Sequence, residues 1–154
     1  MKYVKDGDVI MDYGCGDGRV MQHIRKNKVV GVDAVPEMAR LVGGYTPDEF
    51  IDKVDVIFAL SVFIHNSHET GAEIIKWMVS RLRDGGRLLL QIPLYDVAKQ
   101  PADWIDVGVW TPAMLEAEAK KNGLKVIEKH TNNGEFSFNR VGPNHYQFQV
   151  LVKR

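Results

Sequence analysis

Asp12-Tyr13-Gly14-Cys15-Gly16-Asp17-Gly18-Arg19-Val20 sets three glycines at alternate positions, directly after the apolar run Val9-Ile10-Met11. Glycine costs backbone entropy, so such a cluster marks a tight bend or a place where something approaches the backbone closely. An ordinary surface turn would need no more than one or two of them. The elements on either side of the stretch decide between these readings.

Working outward, strand-like and helix-like segments alternate. Residues 9–13 read as a short buried strand, and a helix is expected over about 18–26 after the glycines. Val29-Val30-Gly31-Val32-Asp33 forms a second strand. Pro36 suits the first turn of a helix, where its missing N–H does no harm, and that helix carries Met38 and Leu41. Val54-Asp55-Val56-Ile57-Phe58-Ala59-Leu60 is the strongest strand. A helix over about 69–83 comes next, with Ile74, Ile75, Met78, Val79 and Leu82 at helical spacing. Asp84-Gly85-Gly86 is expected to end it. Residues 87–92 are apolar enough for a strand buried on both faces. Thr111-Pro112 carries the start signature of another helix, and Asn122-Gly123 closes it. Two strands end the chain, 124–130 and 146–153, the second alternating Tyr146, Phe148, Val150 and Val152.

Strands that alternate with helices imply an α/β, doubly wound and mostly parallel sheet with helices on both faces. A chain of 154 residues is expected to be one domain, 1–154. One interval breaks the pattern. Only twenty residues separate Asp33 from Val54, fewer than the ~30 of a strand–helix–strand unit. The third-strand region is therefore read as shortened.

Composition narrows the class. At 45% hydrophobic and 26% charged the chain has the ordinary globular profile. Twenty acidic residues balance twenty basic ones, so broad electrostatic binding to nucleic acid is not favoured. The single cysteine, Cys15, can make no intrachain disulfide, which fits a reducing compartment. The N-terminal residues lack an apolar run of signal-peptide length, and the longest apolar stretch, 56–64, is far short of a membrane span. A cytoplasmic protein with no membrane partner is expected. No two of the five histidines have the spacing of a helical metal site, so no metal is expected.

The glycine stretch now has a context. A strand, a glycine turn, a helix and a second strand ending in an acidic residue make up a nucleoside-binding half of a doubly wound fold. Asp33 lies nineteen residues after Gly14, close to the ~20 at which a carboxylate meets ribose hydroxyls. A carboxylate offers two acceptor oxygens to the two donors of a diol. The dinucleotide fingerprint is G-x-G-x-x-G, fitted to a pyrophosphate. Here the order is Gly14-x-Gly16-x-Gly18, preceded by Asp12, with Arg19 where that fingerprint has its last glycine.

Asp-x-Gly-x-Gly-x-Gly resembles motif I of the class I (Rossmann-like) S-adenosylmethionine-dependent methyltransferases. The resemblance spans nearly the whole chain. Val29–Val42 is similar to the family's second strand and the helix start after it. The stretch 54–65 is similar to its fourth strand and the loop after it. Leu82–Pro93 resembles a helix end, a Gly-Gly turn and a fifth strand, and the last two strands resemble an antiparallel edge hairpin. The resemblance implies S-adenosyl-L-methionine as cofactor, bound by Asp12, Tyr13, Gly14, Cys15, Gly16, Asp33, Ala34, Met38, Leu60 and Ser61. Asp33 would hold the ribose, and Met38 would lie beneath the adenine. The chain reads as a minimal member lacking the N-terminal cap helices, and the residue contacting the adenine amino group has no clear counterpart. Tyr45 and Asp48 lie near enough in sequence to replace it.

The implied reaction is an in-line displacement, in which holding the acceptor close and aligned supplies much of the catalysis. His65, just past the strand at 54–60, is the catalytic candidate, because histidine accepts a proton near neutral pH. Its alternative is packing or capping at the next helix, where His68 is also available. Asp55 reads as structural. Asp12 organises the glycine loop or holds the cofactor's amino group, and Cys15 reads as a small residue near the ligand. Trp104 and Trp110 either line an acceptor pocket or anchor their loop, and Tyr95 and Asp96 stand equally.

No Asn/Asp-Pro-Pro-aromatic motif, Pro-Cys pair or paired-glutamate loop is present, so a small-molecule, lipid-precursor or glycan-hydroxyl acceptor leads. Without cap helices, residues 93–110 and 131–145, the latter with Phe136, Phe138 and His145, would border an open site. The acceptor, a second copy of the chain in a homodimer or a larger partner would then close it. Two other readings compete. One is a non-catalytic or partner-dependent S-adenosylmethionine-binding module. The other is a nicotinamide dehydrogenase, which the glycine spacing disfavours.

Overall fold

The computed structural model describes residues 3–94, 107–108, 110–131 and 146–153. The strands are β1 (Val9–Tyr13), β2 (Lys28–Val32), β3 (Val54–Ala59), β4 (Leu82–Pro93), β5 (Leu124–Thr131) and β6 (Tyr146–Lys153). The helices are α1 (Pro36–Leu41), α2 (His68–Arg81) and α3 (Pro112–Lys121). They form one six-stranded sheet in the order β2-β1-β3-β4-β6-β5. β1 to β4 run parallel, and β6 is antiparallel to both of its neighbours. The mixed α/β architecture and its C-terminal antiparallel pair agree with the sequence reading.

Strand periodicity divides the core. Ile10, Val56, Phe58 and Leu89 pack together in one buried cluster. Their neighbours in sequence, Met11, Ile57, Leu88 and Leu90, belong to another, with Ile75 and Met78 of α2 and Leu115 and Ala119 of α3. Side chains alternate across a sheet, so apolar strands follow from burial on both faces. Trp110 is fully buried, edge-on to Phe63 and against the His68 ring at 4.4 Å. Of its two readings, the structure selects anchoring. Trp104, Tyr95, Asp96, Phe136, Phe138 and His145 lie outside the described residues.

Several boundaries differ from the sequence reading. The helix expected over 18–26 is a single 3-10 turn, Met21–His23. Gly18 is left-handed (φ 77°) and cannot begin a helix, and Ile24 is already extended (φ −100°, ψ 98°). Too few residues remain to offset the cost of helix nucleation. α2 starts at His68 because the Ser67 hydroxyl caps the Thr70 N–H. It ends at Arg81, before Asp84-Gly85-Gly86, since Leu82 is already extended. That Asp-Gly-Gly stretch sits inside β4, where Val54 pairs with Leu82 but Val56 pairs with Arg87. The surplus residues bulge out of the ladder.

The shortened interval is also as expected: no strand forms between β2 and β3, and Tyr45 alone bridges to Val32. A side chain at Gly44 would collide with the Gly31 carbonyl, so a glycine there lets the chain lie directly on β2. Arg40 closes the segment with a two-pronged pair to Glu49, whose carboxylate also accepts the Thr46 N–H at 2.9 Å. The Arg40 bond, then the Thr46 N–H, pulls Glu49 down to about 2.

At the opposite end of the sheet, Asp55 accepts the Val9 N–H at 2.8 Å and Arg83 at 2.7 Å, tying β1 to β3 and β4. Its structural reading holds. Asp55→Ala should lower unfolding free energy by about 1–3 kcal/mol, the cost of a charged acceptor lost from a part-buried donor. Asp55→Asn, which keeps an oxygen for Val9, should cost less. Chemical denaturation of the two variants checks this, and equal losses would remove Val9 from the account.

Candidate functional site

The sheet order places a crevice before any side chain is considered. β1 is followed by β2 on one side, and the chain then crosses to β3 on the other. In open parallel sheets, ligands bind outside the carboxyl ends of the strands where the winding reverses. That point lies beyond Tyr13 and Ala59. The glycine loop, the end of β2 and the turn after β3 meet there.

Backbone bonds shape the loop. The Gly14 and Cys15 N–H groups both donate to the Val32 carbonyl, at 2.7 and 3.2 Å. Gly14 is left-handed (φ 75°), and a Cβ on it would come within 2.5 Å of Val62 Cγ2. Only glycine meets both demands. Asp33 then joins the loop to α1: Oδ2 accepts the Gly16 N–H and Oδ1 the Val35 N–H, each at 2.9 Å. Each of its oxygens keeps a further acceptor site for a ligand hydroxyl.

Asp12 is the most unusual group in the site. It is 2% exposed, and its Oδ2 has no hydrogen-bond partner. Burial, then the nearby charge of Asp33, pushes its carboxyl up to about 7. Buried polar atoms are otherwise nearly always satisfied, so this one calls for an explanation. A cationic donor entering the crevice supplies one, because it would satisfy the oxygen and offset the repulsion between the two carboxylates. Among the described residues no cluster of three or more His, Cys, Asp or Glu could hold a metal ion.

The other predicted residues divide. Ala34 and Met38 are exposed beyond Asp33, Met38 at 39%. Tyr45 stands near them in the fold, 45% exposed and edge-on to Phe50, with its backbone bonded to both Gly31 and Asp33. An exposed thioether and an aromatic ring thus lie beyond the Asp33 carboxylate. Asp48 is exposed, on the turn beyond. Cys15 is buried, and burial followed by the charges of Asp33 and Asp12 raises its thiol to about 11. It is a packing group, not a nucleophile.

Tyr13 is placed at the strand end by its backbone alone. Its ring turns into the core against Trp77, 5.3 Å between centroids, and belongs to the larger of the two buried clusters. Strand alternation dictates this, and only the Tyr13 backbone remains at the strand end.

Past β3, Leu60 is partly buried and Ser61 exposed. The 3-10 turn Phe63–His65 comes next, with Phe63 and Ile64 buried and His65 outward. His68 is spent on Trp110, which separates the two histidines. Gln91 of β4 was missed. Its Oε1 accepts from the Ser61 N–H at 3.0 Å and the Ser61 hydroxyl at 3.2 Å. The available signal was a polar residue inside the apolar run Leu88-Leu89-Leu90-Gln91-Ile92, where burial demands a partner.

Residues 2–129 match the family model described as a methyltransferase domain. A ribosomal protein L11 methyltransferase of Cupriavidus metallidurans is 27% identical over 70% of this chain, and this chain spans 40% of that relative's length. An S-adenosylmethionine-dependent methyltransferase from Methanosarcina mazei superposes with a TM-score of 0.76 at 16% identity, covering 99% of this chain and 95% of the other. The 1,6-didemethyltoxoflavin-N1-methyltransferase of Burkholderia thailandensis, solved with 1,6-didemethyltoxoflavin and S-adenosylhomocysteine, gives 0.69 at 16% identity, over 96% of this chain and 71% of the other. These structural likenesses establish the fold, that of the class I methyltransferases. With most of its length inside the family model, the chain belongs to the methyltransferase-domain family.

Proposed function

We propose that this chain binds S-adenosyl-L-methionine in the switch-point crevice and transfers its methyl group to a small-molecule or carbohydrate-like acceptor. The observation that carries the reading is the buried Asp12 carboxyl beside the glycine loop, whose Oδ2 has no hydrogen-bond partner. The cofactor's amino-acid ammonium is the cation that such a group needs.

When bound, the sulfonium supplies an electrophilic methyl and departs as a neutral thioether. The chain's own residues then have separate tasks. Asp12 holds the ammonium, and the loop 14–16 leaves room for the amino-acid portion. Asp33 takes the ribose hydroxyls on the acceptor sites left by Gly16 and Val35. Ala34, Met38 and Tyr45 border the base. His65 accepts the acceptor hydroxyl's proton on an imidazole nitrogen as the oxygen attacks. Proximity and alignment supply most of the rate.

The acceptor class rests on the motifs missing from the sequence. Residues 95–106 and 132–145, which would border the acceptor side, lie outside the described part of the chain. A screen of hydroxyl-bearing small molecules and glycans for S-adenosylhomocysteine release tests it. Release with none of them, alongside intact cofactor binding, would favour the partner-dependent binding module.

Calorimetric titration with S-adenosylhomocysteine and with NAD tests the cofactor reading. The first should bind and the second should not. Asp33→Ala should weaken S-adenosylhomocysteine by about 1.5–3 kcal/mol, the range for bonds to a charged group. Wild-type affinity in that variant would sink the assignment. His65→Ala should lower turnover about 10²–10⁴-fold while cofactor affinity stays within a factor of about two. An unchanged rate at saturating acceptor would return His65 to a structural role.

A further inference from the structure

Ser61 is the one non-glycine among the described residues with a left-handed backbone, at φ 58°. Serine gains nothing from this conformation, which glycine and asparagine adopt more readily. Such strain persists only where the surroundings over-determine it, and it gathers at functional sites. Here one side chain from a neighbouring strand holds the turn. Gln91 reaches over from the adjacent strand, and its Oε1 accepts from both the Ser61 N–H and the Ser61 hydroxyl.

The reversal has a geometric consequence. Val62 returns at once to right-handed backbone (φ −83°, ψ −50°), and Phe63 and Ile64 bury themselves behind it. Val62 is thereby set against the glycine loop, its Cγ2 occupying the space that a Gly14 side chain would need. The turn 60–62 and the loop 14–16 thus form the two lips of the crevice, in contact at Val62 and Gly14. Asp12, at the foot of that loop, marks the end that takes the amino-acid portion of the ligand.

We propose that Gln91 is a positioning residue. Its side-chain oxygen pins Ser61 in the left-handed conformation and so holds the 60–62 lip at the amino-acid end of the cofactor site. The inference rests on the cofactor reading given above. It assigns Gln91 no contact with ligand or acceptor.

Two ligands and one suppressor test it. S-Adenosylhomocysteine carries the amino-acid portion, whereas 5′-methylthioadenosine lacks it. Gln91→Leu should weaken S-adenosylhomocysteine about tenfold, the effect of a strain term of ordinary size. It should leave 5′-methylthioadenosine within about twofold, since the base and ribose lie beyond both lips, at Asp33, Met38 and Tyr45. Glycine holds φ near +60° without an anchor, so adding Ser61→Gly to Gln91→Leu should bring S-adenosylhomocysteine back to within about threefold of wild type. A purely structural lesion would weaken both ligands alike, and a direct Gln91 contact would resist rescue by glycine; either result overturns the proposal. If Gln91→Leu does not fold, Ser61→Ala removes only the hydroxyl bond. It should weaken S-adenosylhomocysteine selectively by a smaller factor, and equal losses for both ligands would count against the proposal. A wild type that binds neither ligand overturns the cofactor reading, and this inference with it.

Discussion

One carboxylate holds the site together. Asp33 directly follows β2, and its two oxygens take the N–H groups of Gly16 in the loop and Val35 at the start of α1. Loop and helix start are thereby tied to the same strand end. The Val32 carbonyl adds a second tie by accepting from Gly14 and Cys15. These bonds require the loop backbone to lie on the sheet, and glycines permit it. Even Tyr45, the remnant of a third strand, joins through the Asp33 backbone, whose N–H donates to the Tyr45 carbonyl.

Placing Asp12 beside this carboxylate carries an electrostatic cost that nothing among the described residues relieves. Its raised pKa means that the empty fold favours the protonated form. This contribution to stability is complete at pH values below the ordinary carboxylate range and is lost as pH rises through about 7. At neutral pH the empty crevice holds a carboxyl poised between its two forms. A bound cation would reverse the preference and draw the proton off. Residues that weaken the empty protein while serving the loaded one are a common trade between stability and function.

Elements with local signals were legible in the sequence. β1 runs Val9–Tyr13 as expected, Pro36 and Thr111-Pro112 start their helices, and Asn122 closes α3. The missing third strand was also visible, because twenty residues cannot hold a full crossover. What the sequence concealed depends on distant contacts. Gly18 looked like a helix start but is held left-handed within the loop, and Asp84-Gly85-Gly86 looked like a helix stop but is a bulge fixed by pairing with β3. Tyr13 was counted with its loop neighbours, although strand alternation alone sends its ring into the core. Ser61 could be named as a lip residue, but its backbone conformation and its anchor on Gln91 depend on two strands lying side by side.

The central claim is that the buried Asp12 carboxyl awaits the ammonium of an S-adenosyl cofactor. Calorimetric titration of S-adenosylhomocysteine at pH 7, in two buffers of different ionisation enthalpy, addresses it most directly. With Asp12 near pKa 7 when empty, binding should release about half a proton. Asp12→Asn should bind more weakly and release none. Binding without proton release, or the same release in Asp12→Asn, would contradict the account.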